Sequence, residues 1–270
     1  MNLRIGLFCL VGGLCFTVSA LGAGHFGWAL LSGMVTAAAL YPLVRSGPRQ
    51  PLAQFGAIVL VLLVIGLFCT MSEGALFYPE MRAHLLSPIL SGTAVYLLAA
   101  AVMAGLAKWL KLTDPADRPI PHRSPVKATL LVLLAAFFYL VYYEVFGGLT
   151  FQFFTKQYYP HAAEQAMALG IWFPIYQLVR GIAMTLAILP VIYTLRLPRW
   201  QAAITVGLMV WIVGGAGPLL VPNPMMVTAQ RYIHIGEIFT QNFSLGVTAA
   251  WLLRPSTGKL ALKAVPTAVV

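Results

Sequence analysis

Apolar runs long enough to cross a bilayer recur along this chain, at 3–21, 28–44, 55–71, 85–107, 128–149, 167–195, 201–220 and 229–253. A helix needs about 20 mainly apolar residues to span hydrocarbon, where every backbone N–H and C=O must be satisfied within the structure. Membrane barrel strands alternate in polarity over roughly ten residues, and these runs are continuous instead. They predict an all-α polytopic integral membrane protein, one domain over 1–270, with about eight transmembrane helices. Composition points the same way. The chain is 60% hydrophobic and 9% charged, against about 25% charged in ordinary soluble domains.

The connections between runs set the expected orientation. Arg4; Arg45 and Arg49; Lys108, Lys111, Arg118, Arg123 and Lys127; Arg196 and Arg199; and Arg254, Lys259 and Lys263 fall on one side of an eight-span layout. They are 13 of the 17 basic residues. Arg82 and Lys156 fall on the other side, and Arg180 and Arg231 lie within spans. Basic loops stay cytoplasmic, so both termini are expected in the cytoplasm. The bacterial cytoplasmic (inner) membrane is the expected location. The net charge of +10 is then a matter of topology, and no nucleic-acid partner is expected. The longest connection, 108–127, holds four prolines and reads as an extended cytoplasmic loop near anionic headgroups. Arg4 and Ala20-Leu21-Gly22 also resemble the ends of a secretory signal. An uncleaved first helix is preferred, because the next span follows at once after 22–27.

The last run is unlike the others. Arg231, His234, Glu237, Gln241 and Asn242 sit in its first half at three- and four-residue steps, which places most of them on one helix face. An unpaired charge at the centre of a membrane helix costs at least about 2.5 kcal/mol. Such groups therefore need partners, and Gln177 and Arg180 in the sixth run and Glu144 near the end of the fifth lie at comparable depth. Glu237 is expected to pair with Arg180, and Glu144 with His234 or Arg231. Together Arg180, His234, Glu237, Glu144, Gln177, Arg231 and Asn242 form the candidate ligand site, in a cavity that faces outward. The plain alternative is that these polar groups pin helices together.

What such a cavity does is less constrained. A carrier for a small solute or lipid-like molecule fits the breakable helices around it: Pro174 and Pro190 in the sixth run, and Gly214-Gly215-Ala216-Gly217-Pro218 in the seventh. Glu237 is then a candidate proton-coupling carboxylate. A membrane-embedded enzyme acting on a lipid-type substrate is the first alternative, with His234 and Glu237 or Glu144 as base and acid. Its nucleophile candidates, Ser244, Thr240 and Thr228, sit in no hydrolase motif. The second alternative is a non-catalytic subunit of a membrane complex. The expected partners are the lipid bilayer, a small-molecule or lipid ligand, and a membrane protein partner or a second copy.

No cofactor and no metal are expected. Glu80 to His84 and His161 to Glu164 have helical ligand spacing but lie in different loops, and no paired-histidine motif occurs. Cys9, Cys15 and Cys69 lie in or at the end of apolar runs, without a CxxC, and read as inert core residues. Two segments resemble each other, Phe77-Tyr78-Pro79-Glu80 and Tyr158-Tyr159-Pro160-His161. A shared interfacial belt of aromatic residues accounts for both.

Overall fold

A computed structural model describes residues 3–20, 24–114, 123–159 and 162–255. Most of the proline-rich connection, the tail with Lys259 and Lys263, and His161 lie outside the described residues. Among those described there is no β-strand, only an isolated bridge between Asn223 and Met226. The chain forms α1 (Leu3–Leu14, tightening to a 3₁₀ turn over Cys15–Ala20), α2 (Phe26–Ser46), α3 (Pro51–Phe77) and the short α4 (Pro79–Ala83). Then follow α5 (Leu86–Trp109), α6 (Pro125–Tyr158), α7 (Ala162–Leu169), α8 (Trp172–Thr194), α9 (Arg199–Leu220) and α10 (228–253).

Six of these, α2, α3, α5, α6, α8 and α9, are long and apolar enough to cross a membrane. Of the eight runs in the sequence, the first gives a helix that is too short on this measure, and the last one that is too polar. The helices are apolar on their outward faces as well as their inward ones. Leu86 and Phe153 are each 71% exposed, and Leu90, Leu130, Phe137 and Trp172 are exposed too. Water would disfavour such surfaces, whereas lipid chains solvate them. The chain is a multi-pass helical membrane protein.

Since lipid is as apolar as a leucine side chain, association of the helices rests on close packing. Small residues make this possible. A Cβ on Gly33 of α2 would collide with the backbone of Gly13 in α1, and one on Gly246 of α10 would fall 2.7 Å from the Cα of Gly207 in α9. The buried core runs through these contacts, with Phe8, Leu40, Ile58, Met103, Tyr139, Ile188 and Val206 all inaccessible.

Several helix limits differ from those read in the sequence, and each has a local cause. The third helix does not stop at 71 but continues to Phe77, because nothing in Thr70–Phe77 breaks it before the chain meets Pro79. The run 167–195 is two helices, divided at Gly170, whose φ of +52° suits glycine. Pro174 therefore falls in the first turn of α8, where no backbone N–H is missed. Only Pro190 lies inside that helix. The glycine-rich end of α9 is not unwound but over-wide, a π-helical turn at Ile212–Ala216. Similar π segments occur at Val61–Cys69, Tyr143–Gly147, Phe151–Thr155 and Phe239–Phe243.

At one end of the bundle, arginines tie helix termini together. Arg254 donates to the carbonyls of Leu195 and Leu197, both at 2.7 Å, and Arg196 to that of Gly47 at 3.2 Å. Arg199 reaches the Trp251 carbonyl at 3.0 Å and packs over the Trp251 ring, and Arg123 reaches Leu252. Backbone bonds from Asp114 to Arg45 and from Arg196 to Ser46 close the same end. The basic connections thus share one end of the molecule.

Candidate functional site

The opposite end holds a cavity of about 590 Å³. Its walls come from the ends of α3, α6 and α9, the connection through Pro222 and Met226, and the first half of α10, with Phe173 of α8 closing one side. Most of the lining is apolar: Met71, Met81, Met225, Met226, Phe77, Phe151 and Phe173. Ionisable groups enter from three helices, Glu73 on α3, Glu144 on α6, and His234 with Glu237 on α10.

The pairings of these groups are not those expected from the sequence. Arg180 donates to Glu73 at 2.5 Å rather than to Glu237. The reason is the extra length of α3: Glu73 belongs to a helical turn beside α8, with its side chain 13% exposed, and not to a loop. Arg180 also donates to Gln177 Oε1 at 3.4 Å and lies over the rings of Tyr139 and Tyr143, at 5.8 and 6.0 Å. The guanidinium is thus held by one carboxylate, one amide and two aromatic faces. Arg180 Nε, Gln177 Nε2 and the Tyr139 hydroxyl are buried without hydrogen-bond partners among the described residues.

Glu237 pairs within its own helix. His234 Nδ1 lies 2.8 Å from its Oε2, at the i,i+3 spacing, and Gln241 Nε2 donates to its Oε1 at 3.2 Å. Gly147 of α6 permits this arrangement, since a Cβ there would stand 3.1 Å from Gln241 Nε2 and 3.4 Å from Glu237. Glu144 pairs with neither His234 nor Arg231; it lines the cavity and has no hydrogen-bond partner among the described residues. It lies in the π segment of α6 and is an exposed residue.

Three other expected residues lie behind the wall. Arg231 donates to the carbonyls of Leu219 and Leu220, at 3.0 and 3.2 Å, and so caps the open C-terminal end of α9. Asn242 faces Gly214 of α9, with its Nδ2 3.5 Å from the carbonyl. Gln177 is fully buried against Arg180. Of the seven residues, then, Glu144, His234 and Glu237 line the cavity. Arg180 touches it through Glu73, and Gln177, Arg231 and Asn242 fix the helices that form it.

Sequence reasoning overlooked Glu73 and the aromatic rim. The two similar segments meet at the cavity: the rings of Tyr78 and Tyr159 are 5.8 Å apart, and Phe77 and Tyr159 6.2 Å. Gln230 Nε2 donates to the Tyr78 hydroxyl at 3.1 Å. Burial raises the pKa of Tyr78, so it remains a neutral hydrogen-bonding group. The signal for Glu73 was available, since Pro79 is the first residue after 71 able to stop the helix.

None of the three nucleophile candidates read in the sequence lines the cavity. Thr240 Oγ1 donates to the Glu237 carbonyl at 2.7 Å, and neither Ser244 nor Thr228 lines the cavity. Among the described residues no three His, Cys, Asp or Glu side chains come together as metal ligands. No family model, curated protein or solved structure matches this chain.

Proposed function

We propose that this protein carries a small solute or lipid-like molecule, binding it in the cavity at the end opposite the basic connections. In this reading the chain crosses a bacterial cytoplasmic membrane eight times, α1 and α10 included, with both termini cytoplasmic and the cavity facing outward. Glu144, His234 and Glu237 face the ligand. Arg180, Gln177, Arg231 and Asn242 hold them in place.

The observation that carries the reading is the cavity: about 590 Å³ of mainly apolar space with ionisable groups from three helices at its wall. Small-molecule sites have this make-up, a concave apolar lining with a few convergent polar groups. Ionisable groups at membrane depth usually mark a ligand or ion path. The α-helical pattern is also interrupted by π turns in all of α3, α6, α9 and α10. Such turns recur at functional sites, and broken helices around a polar site recur in carriers.

Native mass spectrometry of the full chain, gently extracted from its own membrane, tests this. A single stoichiometric extra mass is expected, absent from folded His234→Ala and Glu237→Gln variants. A bare chain, or added mass from a second polypeptide alone, counts against a carrier and for a structural subunit.

A further inference from the structure

We infer that the basic end of the bundle holds a second site, which binds the phosphate of an anionic phospholipid. It is independent of the cavity read above as the carrier's ligand site and lies at the other end of the molecule. A space of about 560 Å³ opens there between the end of α2 and the start of α9. Among the described residues its charged lining is Arg45, Arg196 and Asp114. Two guanidiniums against one carboxylate leave one positive charge, which the single negative charge of a phosphodiester balances.

The two arginines play different parts. Arg196 is anchored beside the space, its Nη1 donating to the Gly47 carbonyl at 3.2 Å and its backbone N–H to the Ser46 carbonyl at 2.8 Å. Its remaining side-chain N–H groups have no partner among the described residues. Arg45 is exposed, and its side chain makes no hydrogen bond or ion pair among those residues. Asp114 meets Arg45 through the backbone, its N–H donating to the Arg45 carbonyl at 2.8 Å. Guanidinium forks match the oxygens of a phosphate. α9 also begins at this space, with Pro198 before its first turn and no side chain capping it. The free N–H groups of a helix start favour an anion as well.

What makes the guest a lipid rather than a free phosphate lies on α9. Trp200 and Ile204 line the space and are 57% and 43% exposed. With Leu208, exposed as well, they follow four-residue steps, so one apolar stripe leads from the charged space along the outside of the helix. α9 is long and apolar enough to cross a membrane. An acyl chain laid along this stripe starts from a phosphate seated between Arg45 and Arg196. Tryptophan is common at that depth, where hydrocarbon meets headgroups. Basic pockets between membrane helices on the cytoplasmic side bind such headgroups, and in the layout proposed above this is the cytoplasmic end.

The test is native mass spectrometry of the delipidated full-length protein, with phosphatidylglycerol, phosphatidylcholine or diacylglycerol added at equal concentration. One phosphatidylglycerol per chain is expected, retained at least about fivefold better than either of the others. Arg45→Gln should lower that retention about fivefold with the melting temperature unchanged, since its side chain ties down no other part of the fold. Lys108→Gln removes the same charge from the same end but outside the space, and should change nothing. Equal retention of phosphatidylcholine or diacylglycerol overturns the site, and so does retention indifferent to Arg45→Gln. An equal loss in Lys108→Gln also overturns it, as the sign of a diffuse attraction to the whole basic end. Displacement by an equal concentration of inorganic phosphate would mark a free-phosphate site and overturn the lipid. Since His234 and Glu237 lie at the opposite end, His234→Ala and Glu237→Gln leave this lipid in place, which separates it from the co-purified mass that tests the carrier.

Discussion

Arg180 is held by a carboxylate, an amide and two rings, and its partner could not be chosen from spacing alone. Glu237 was expected, and Glu73 was placed in the connection after the third run. What decides between them is where α3 ends, and a difference of six residues in that limit moves Glu73 from a loop to a helical turn beside Arg180. The pair is now testable as a pair. Glu73→Gln or Arg180→Gln leaves a buried charge unanswered, which costs about 3–5 kcal/mol. The double variant should lose much less stability than the two single losses summed, read as melting temperature in detergent. Additive losses would mean that the two side chains do not act on each other. Glu237 shows the opposite case. Its histidine partner was visible at i−3 on one helix face, but Arg180 was preferred on the ground that an unpaired charge within a span is costly.

Elements are positioned here by what is missing from them. Gly33 and Gly246 let α2 meet α1 and α10 meet α9 at backbone distance, so a side chain at either place must separate two helices. Gly33→Val and Gly246→Val are expected to cost more than about 3 kcal/mol, with reduced yield of folded protein. Gly105→Ala, on a face of α5 with nothing within 4 Å, should be neutral or raise stability by up to about 1 kcal/mol. Thermal melting of the three variants separates the outcomes; equal melting points would mean the close approach is not tight. The existence and order of the helices were legible because apolar length is a strong signal. Gly170 was not recognised as a divider, since a lone glycine is commonplace in membrane helices and only its positive φ gives it away. The π turns left no mark in the residues at all. Two of them hold Gly214, Gly215 and Asn242, where Gly214 and Gly215 lie close against Ile65 and Ile238.

At the scale of the whole molecule, the two ends differ in chemistry. One end gathers the described basic connections, and the other holds Glu73, Glu144, Glu237 and the aromatic rim. With eight crossings, Lys108 and Lys156 stand on opposite sides of the membrane. A Lys156→Cys variant should react with an impermeant maleimide in intact cells, and Lys108→Cys only after the membrane is opened. Both are exposed positions, and the native cysteines are buried, so the background is low. Labelling of both from the same side would refute the eight-crossing layout. Loop charge did indicate in advance that Arg123, Arg196, Arg199 and Arg254 would share one end.

The arginine contacts at the basic end bear on how a guest could travel. There, Arg254, Arg196, Arg199 and Arg123 fasten α2, α6, α8, α9 and α10 to one another by their carbonyls. Charged ties cross between helices at the cavity end too, Arg180 to Glu73 from α8 to α3 and Arg231 to the carbonyls of Leu219 and Leu220 from α10 to α9. The contacts around Tyr78 and Tyr159, by contrast, are rings resting on rings and one amide-to-phenol bond. In the carrier reading, a molecule leaving past Tyr78 and Tyr159 would part no charged hydrogen bond, whereas one passing through the base would part several, so the two directions of travel would be unequal before any driving force is applied.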